Sequence, residues 1–178
     1  MNKVFKSFQH SLAIIICASL LSACGGGNEK SPAAEKATTD TDNPRSYMKV
    51  RKVDAVFEDV RDDINSAITD LGIKINNVSH IGNMLNRTAE AVGATKTVYS
   101  HAEAFEFCSS TVSRATMEAD PHNIVFCPYI VYVYSLNEDP EHTFVAYRRP
   151  LLVGTDESKK SLMAVEALLE SVVVEATE

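Results

Sequence analysis

The chain has 178 residues, 45% of them hydrophobic, with a formal net charge of −7 at pH 7 and no tryptophan. That length suits one domain rather than two. Its acids are scattered rather than blocked, a pattern of ordinary solvated surface that argues against nucleic acid or an anionic membrane face as partner.

At the start of the chain, Lys3 and Lys6 precede an apolar run over residues 12–21, with Ile14-Ile15-Ile16 at its centre. This is the order of an export signal: basic region, apolar region, small-residue cleavage site. The run is far shorter than the about twenty residues that a membrane-spanning helix needs. It ends in Leu21-Ser22-Ala23-Cys24, which resembles the lipobox of bacterial lipoproteins; a plain signal peptide with a chance cysteine is the competing reading. The resemblance implies cleavage before Cys24, acylation of its thiol (palmitate among the chains) and attachment to membrane through those chains. Gly25 stands where an Asp would mark inner-membrane retention, so the outer membrane, facing the periplasm, is expected. Cleavage also removes Lys3 and Lys6 and no acid, leaving the mature chain more acidic.

Residues 25–46, GGGNEKSPAAEKATTDTDNPRS, show no apolar periodicity. Such a composition cannot bury enough surface to offset its ordering entropy, and as a flexible tether it spans roughly 25 Å. The expected division is a signal peptide over 1–23, a lipidated Cys24 with a disordered tether over 24–46, and a globular domain over 47–178.

A strand is expected at 48–53. Asp54 is then read as the cap of a helix whose apolar residues Phe57, Val60, Ile64, Ala67, Ile68 and Leu71 recur at helical spacing, stopped by Gly72. A strand follows at 73–78, then a helix capped by Ser79 and bearing Ile81, Met84, Leu85, Thr88 and Val92. A strand over 97–107 places Tyr99, Phe105 and Phe107 on one side. A short helix over 109–119 ends at Asp120-Pro121. Residues 129–134 are apolar on both faces, which predicts a central strand covered on both sides. Residues 142–149 pair back on it through a loop at 135–141, and a last helix begins at Asp156. The fold class is α+β, an α/β sandwich: a mixed sheet with at least one antiparallel hairpin and helices packed on it.

Cys17 and Cys24 belong to the export segment, so Cys108 and Cys127 are the thiols of the domain. In an oxidising compartment the pair reads as a disulfide closing a loop of about twenty residues, contributing roughly 3 kcal/mol. Two buried free thiols, or a redox or metal-binding pair with Cys108 at a helix N-terminus, are the alternatives. His80, His101, His122 and His142 show no metal-ligand spacing, and no C-x-x-C is present. No metal site and no cofactor are expected. There is no G-x-S-x-G, no S-x-x-K and no phosphate-cradling glycine loop, so no catalytic residue is assigned.

For ligand binding, the aromatics Phe126, Tyr129, Tyr132, Tyr134, Phe144 and Tyr147 cluster on one hairpin, with core packing as their ordinary use. Arg148 and Arg149 at the strand end suit an anion, because guanidinium forks match carboxylate and phosphate. Arg149, sharing a face with Tyr147, is the favoured one, unless a carboxylate of the protein already holds it.

Glu106-Phe107-Cys108-Ser109, Asp120-Pro121, Phe126-Cys127-Pro128-Tyr129-Ile130 and Tyr147-Arg148-Arg149-Pro150 together resemble the domain of unknown function family 302, over residues 47–178. The resemblance implies a compact α/β sandwich, with a homodimer as an open option, and no reaction. The resulting expectation is a lipid-anchored, non-enzymatic module that binds a small ligand or an envelope protein. The rival is a thiol redox or metal-handling protein using Cys108 and Cys127.

Overall fold

Strand residues alternate with period two and helix residues recur at three and four, and in this chain both patterns converge on one apolar interface. The computed structural model describes residues 45–178; the signal peptide, Cys24 and nearly all of the tether lie outside the described residues. Five strands, β1 (Met48–Val53), β2 (Ile75–Ser79), β3 (Tyr99–Phe107), β4 (Tyr129–Leu136) and β5 (Asp139–Arg148), form one sheet in the order β1-β5-β4-β3-β2. The helices are α1 (Phe57–Asp70), α2 (Ile81–Thr88), α3 (Ser110–Ala119) and α4 (Asp156–Glu175). This is the α+β fold the sequence predicts. Every strand pairing is antiparallel where a mixed sheet was expected. The connections explain this: α1 carries the chain from one sheet edge to the other, and α2 and α3 each return it beside the strand just left.

The core lies between the sheet and two helices. From α1 come Phe57, Val60, Ile64, Ala67 and Ile68; from α4 come Val165, Leu169, Val172 and Val173. They meet Phe105, Phe107, Val131, Val133, Val145 and Tyr147 of the sheet. Gly72, at φ +70°, ends α1 in a left-handed turn that other residues adopt only with strain. Asp54 does not cap α1. The cap position is Val56, without a side-chain bond, and the Asp54 carboxylate lies 3.3 Å from His142 Nε2 instead.

Strand β4 is central but covered on one face. Tyr129, Val131, Val133 and Ser135 are buried, whereas Ile130, Tyr132, Tyr134 and Leu136 are half-buried. Apolar residues on both sides do not distinguish a strand sandwiched between two layers from one whose second face stacks its own aromatics. Here Tyr134 stacks on Phe144 at 5.3 Å and meets Tyr99 edge-on at 5.6 Å. A bulge between Tyr99 and His101 breaks the alternation, so Tyr99 parts from Phe105 and Phe107, which face the core. The hairpin turn is tighter than expected, with only Asn137-Glu138 outside the strands.

The expected apolar stripe of α2 is not buried: Met84, Leu85 and Val92 are exposed. The helix approaches β3 through Gly82, where an added Cβ would fall 2.9 Å from the Ala102 nitrogen. Ser79 does not cap it either; its hydroxyl donates to Glu106 at 2.9 Å. Ser109 does cap α3, accepting from the Val112 N–H at 3.3 Å. Asp120 then caps a 3-10 turn, Pro121–Phe126, by accepting from the His122 N–H. Buried Asn123 fastens that turn, donating to the Thr116 carbonyl at 3.1 Å and to the Ser158 hydroxyl of α4 at 2.9 Å.

Helix α4 is also tied to the sheet edge by charge. The Tyr147 hydroxyl donates to Glu170 at 2.6 Å, and Arg51 of β1 donates to the other carboxylate oxygen at 2.9 Å. These bonds, with Tyr147 the stronger, hold the Glu170 carboxyl below its ordinary value. A depressed carboxyl contributes stability that is fully present above its unfolded value of about 4.3 and is lost as pH falls through the folded one. Tyr147→Phe is expected to cost about 1 kcal/mol at neutral pH, a charge-assisted bond discounted for the partial exposure of Glu170. In urea titrations the gap between wild type and variant should stay constant from pH 8 to pH 5 and narrow below about pH 4.

Candidate functional site

Because β5 alternates, its last residues and those just beyond it divide between the two faces of the sheet. Tyr147 faces the core, is 1% exposed, and is occupied by Glu170; it offers nothing to a ligand. Its phenol is raised above the ordinary value, by burial first and then by that carboxylate, so it donates at neutral pH. Arg149 is likewise committed. Its Nε donates to Glu166 of α4 at 2.7 Å, Nη1 donates to the Ser46 carbonyl at 3.3 Å, and its backbone N–H donates to the Tyr47 carbonyl. The favoured residue of the arginine pair thus serves to close the fold.

Arg148 differs. It is exposed, sits opposite Met48 of β1, and makes no ion pair among the described residues. Together with Tyr132 and Ile130 it lines a cleft of about 940 Å³. The wall also includes Val125, Phe126, Pro128, Pro150, Leu151 and Leu152. Arg149 lines the cleft as expected, but with its guanidinium already paired to Glu166, which lines it too. The lips are apolar and open to water: Val125 is 77% exposed and Leu151 69%. Exposed apolar surface gathered in one place marks an interaction site. The sequence reading singled out Tyr132 and Arg148 but not the lips. A signal for them exists, since Leu151-Leu152-Val153 stands between Pro150 and Gly154, outside any strand or helix that would bury it.

The cysteines of the domain meet. Cys108 follows β3 and Cys127 precedes β4, and the pairing of Phe107 with Tyr129 sets them side by side. Their sulfurs lie 2.7 Å apart, within reach of a disulfide bond, and both side chains are half-buried. Burial, then the neighbouring sulfur, pushes the Cys108 thiol up to about 11, although the Tyr129 N–H and the Asn76 amide favour its thiolate. Ser113 donates to the Tyr129 hydroxyl at 3.1 Å and lies 4.0 Å from the Cys127 sulfur. Among the described residues no three His, Cys, Asp or Glu side chains converge as a metal site.

The histidines are scattered. His80 lies 2.9 Å from Glu103, His101 stacks on Phe57 at 4.8 Å, and His142 is held by Asp139. The hairpin aromatics divide as the strands do, with Tyr129 and Tyr147 in the core and Tyr132, Tyr134 and Phe144 on the other face.

A family model described as domain of unknown function DUF302 matches residues 49–176. The chain belongs to the DUF302 family. The structure is similar to the crystal structure of an uncharacterized conserved DUF302 protein from Bacillus stearothermophilus, with a TM-score of 0.61 and 14% identity. That match covers 74% of this chain and 98% of the other, and at such identity the likeness is one of fold. No curated protein matches the chain. Among the described residues no helix is long and apolar enough to cross a membrane.

The two arginines of this DUF302 domain should separate by stability. Arg149→Ala leaves the Glu166 carboxylate, 19% exposed, without its partner and is expected to cost about 1–3 kcal/mol. Arg148→Ala should stay within about 0.5 kcal/mol of wild type. Urea denaturation of both variants measures the difference.

Proposed function

We propose that this DUF302 protein is a lipid-anchored, periplasm-facing module of the bacterial envelope that binds a small amphiphile carrying one anionic group. It does so without catalysing a reaction. The observation that carries this reading is Arg148, exposed and without an ionic partner among the described residues, in a cleft with apolar lips. In an acidic protein such a cation favours a carboxylate or phosphate. Val125, Leu151 and Leu152 offer the apolar end of the same ligand a surface, gaining about 25 cal/mol for each Å² taken from water. Tyr132 adds an aromatic body with a hydroxyl tip. The anchor rests on Leu21-Ser22-Ala23-Cys24, and the tether behind Cys24 gives the domain reach from the membrane surface.

Dodecanoate serves as the probe. Arg148→Ala should weaken its binding about tenfold, the value of one charge-assisted bond of roughly 1.4 kcal/mol. Leu151→Ser should weaken it through the apolar end, whereas Met84→Ser, at an exposed apolar residue of α2 outside the cleft lining, should leave it unchanged. Equal affinity in all three variants by isothermal calorimetry would remove the reading. Separately, Cys24→Ala should leave an unprocessed precursor without acyl mass; a mature N-terminus elsewhere contradicts the anchor.

A further inference from the structure

The segment that carries one lip of the cleft begins and ends at a cysteine. Residues 109–126 leave the sheet after β3, form α3 and the 3-10 turn, and return to β4. The sheet register fixes the base of this excursion, because Phe107 pairs with Tyr129. Val125 and Phe126, just before Cys127, lie in the cleft wall, and the turn that carries them is hydrogen-bonded to α4 through Asn123. Between base and lip stand Cys108 and Cys127, sulfur to sulfur at 2.7 Å.

We propose that Cys108 and Cys127 form a reversible dithiol–disulfide site, whose closure by a low-molecular-weight disulfide fixes the cleft wall over residues 121–128. Three observations support it beyond proximity. Both thiols are half-buried rather than sealed in the core, so a small reagent reaches them. Cys127 adjoins Phe126 and Pro128, both of which line the cleft, so a covalent tie at this position acts directly on the wall. The sulfurs also have polar neighbours, the Asn76 amide and the Tyr129 N–H at Cys108 and the Ser113 hydroxyl near Cys127, which offset part of the burial that raises the Cys108 thiol.

The exchange balances in two steps. Cys127, deprotonated by solvent, attacks one sulfur of the reagent disulfide; that S–S bond breaks and one reagent thiolate leaves and takes a proton. Cys108, whose thiol is raised by burial, then gives up its proton to solvent and attacks the Cys127 sulfur of the mixed disulfide, releasing the second reagent thiol. The protein loses two hydrogens and two electrons, and the reagent becomes two thiols. Excess reagent thiol reverses both steps. The site does not depend on what occupies the cleft.

The test uses the full chain in oxidised and reduced glutathione, trapped by alkylation and read by intact mass. Peptide mapping separates these sulfurs from Cys17 and Cys24. Oxidised glutathione should remove two hydrogens and link residues 108 and 127, and excess reduced glutathione should restore both thiols without denaturant. Cys108→Ser and Cys127→Ser should each take up one glutathione at the remaining thiol and form no internal bridge. Hydrogen exchange over residues 121–128 should slow several-fold on closure while that of α1 stays unchanged. Thiols that remain alkylatable in oxidised glutathione overturn the proposal, as does a bridge that opens only in denaturant. Identical exchange over 121–128 in both states overturns its action on the cleft. Should the serine variants fail to fold, the wild-type exchange and mass readings decide.

Discussion

Burial of one sheet face beneath α1 and α4 is the constraint from which the rest of this molecule follows. Alternate residues of a strand point to opposite sides, so placing Val131 and Val133 against Ile64 and Leu169 sends Ile130 and Tyr132 to the other. The same rule, continued along β5, puts Tyr147 in the core and Arg148 in the cleft. A one-residue slip of register would exchange the two sets. It would move Arg148 into the buried position of Tyr147, at the cost of desolvating its charge.

Helix α4 joins the core to the site. Its apolar stripe fills the interior, while Glu166 and Glu170 hold Arg149, Tyr147 and Arg51. Ser158, in its first turn, receives Asn123 and so secures the segment bearing one lip of the cleft. Adjacent arginines consequently have different uses: Arg149 neutralises a protein carboxylate, and Arg148 remains available to one from outside. Apolar lips around an available cation describe a surface complementary to an amphiphilic anion, and the cysteine pair at the root of one lip links that surface to thiol chemistry.

Much of this was legible in the residues. The stripe of α1, its stop at Gly72 and the strand at Met48 follow from local rules of spacing and conformation. The meeting of Cys108 with Cys127 was an expectation of their positions at strand ends. What escaped depends on contacts between distant segments. Met84 and Leu85 of α2 have helical spacing but stay exposed, because Gly82 makes the approach to β3. Tyr99 departs from its neighbours through a bulge that periodicity cannot show. The choice between Arg148 and Arg149 turned on Glu166, seventeen positions beyond Arg149 and unrelated to it by any local pattern. The apolar lips lie outside regular structure, where periodicity arguments do not apply.

The central claim is that an anionic amphiphile enters between the lips with its charge at Arg148. Titrating dodecanoate into the isotope-labelled chain, and following backbone and side-chain resonances, tests this most directly. The account predicts saturable shifts at Ile130, Tyr132, Arg148, Leu151 and Leu152, with the Arg148 guanidinium among the largest and the core residues Ile64 and Val172 unmoved. Shifts centred instead on the exposed apolar face of α2 around Met84 and Leu85, or an Arg148 resonance that does not move, would contradict it.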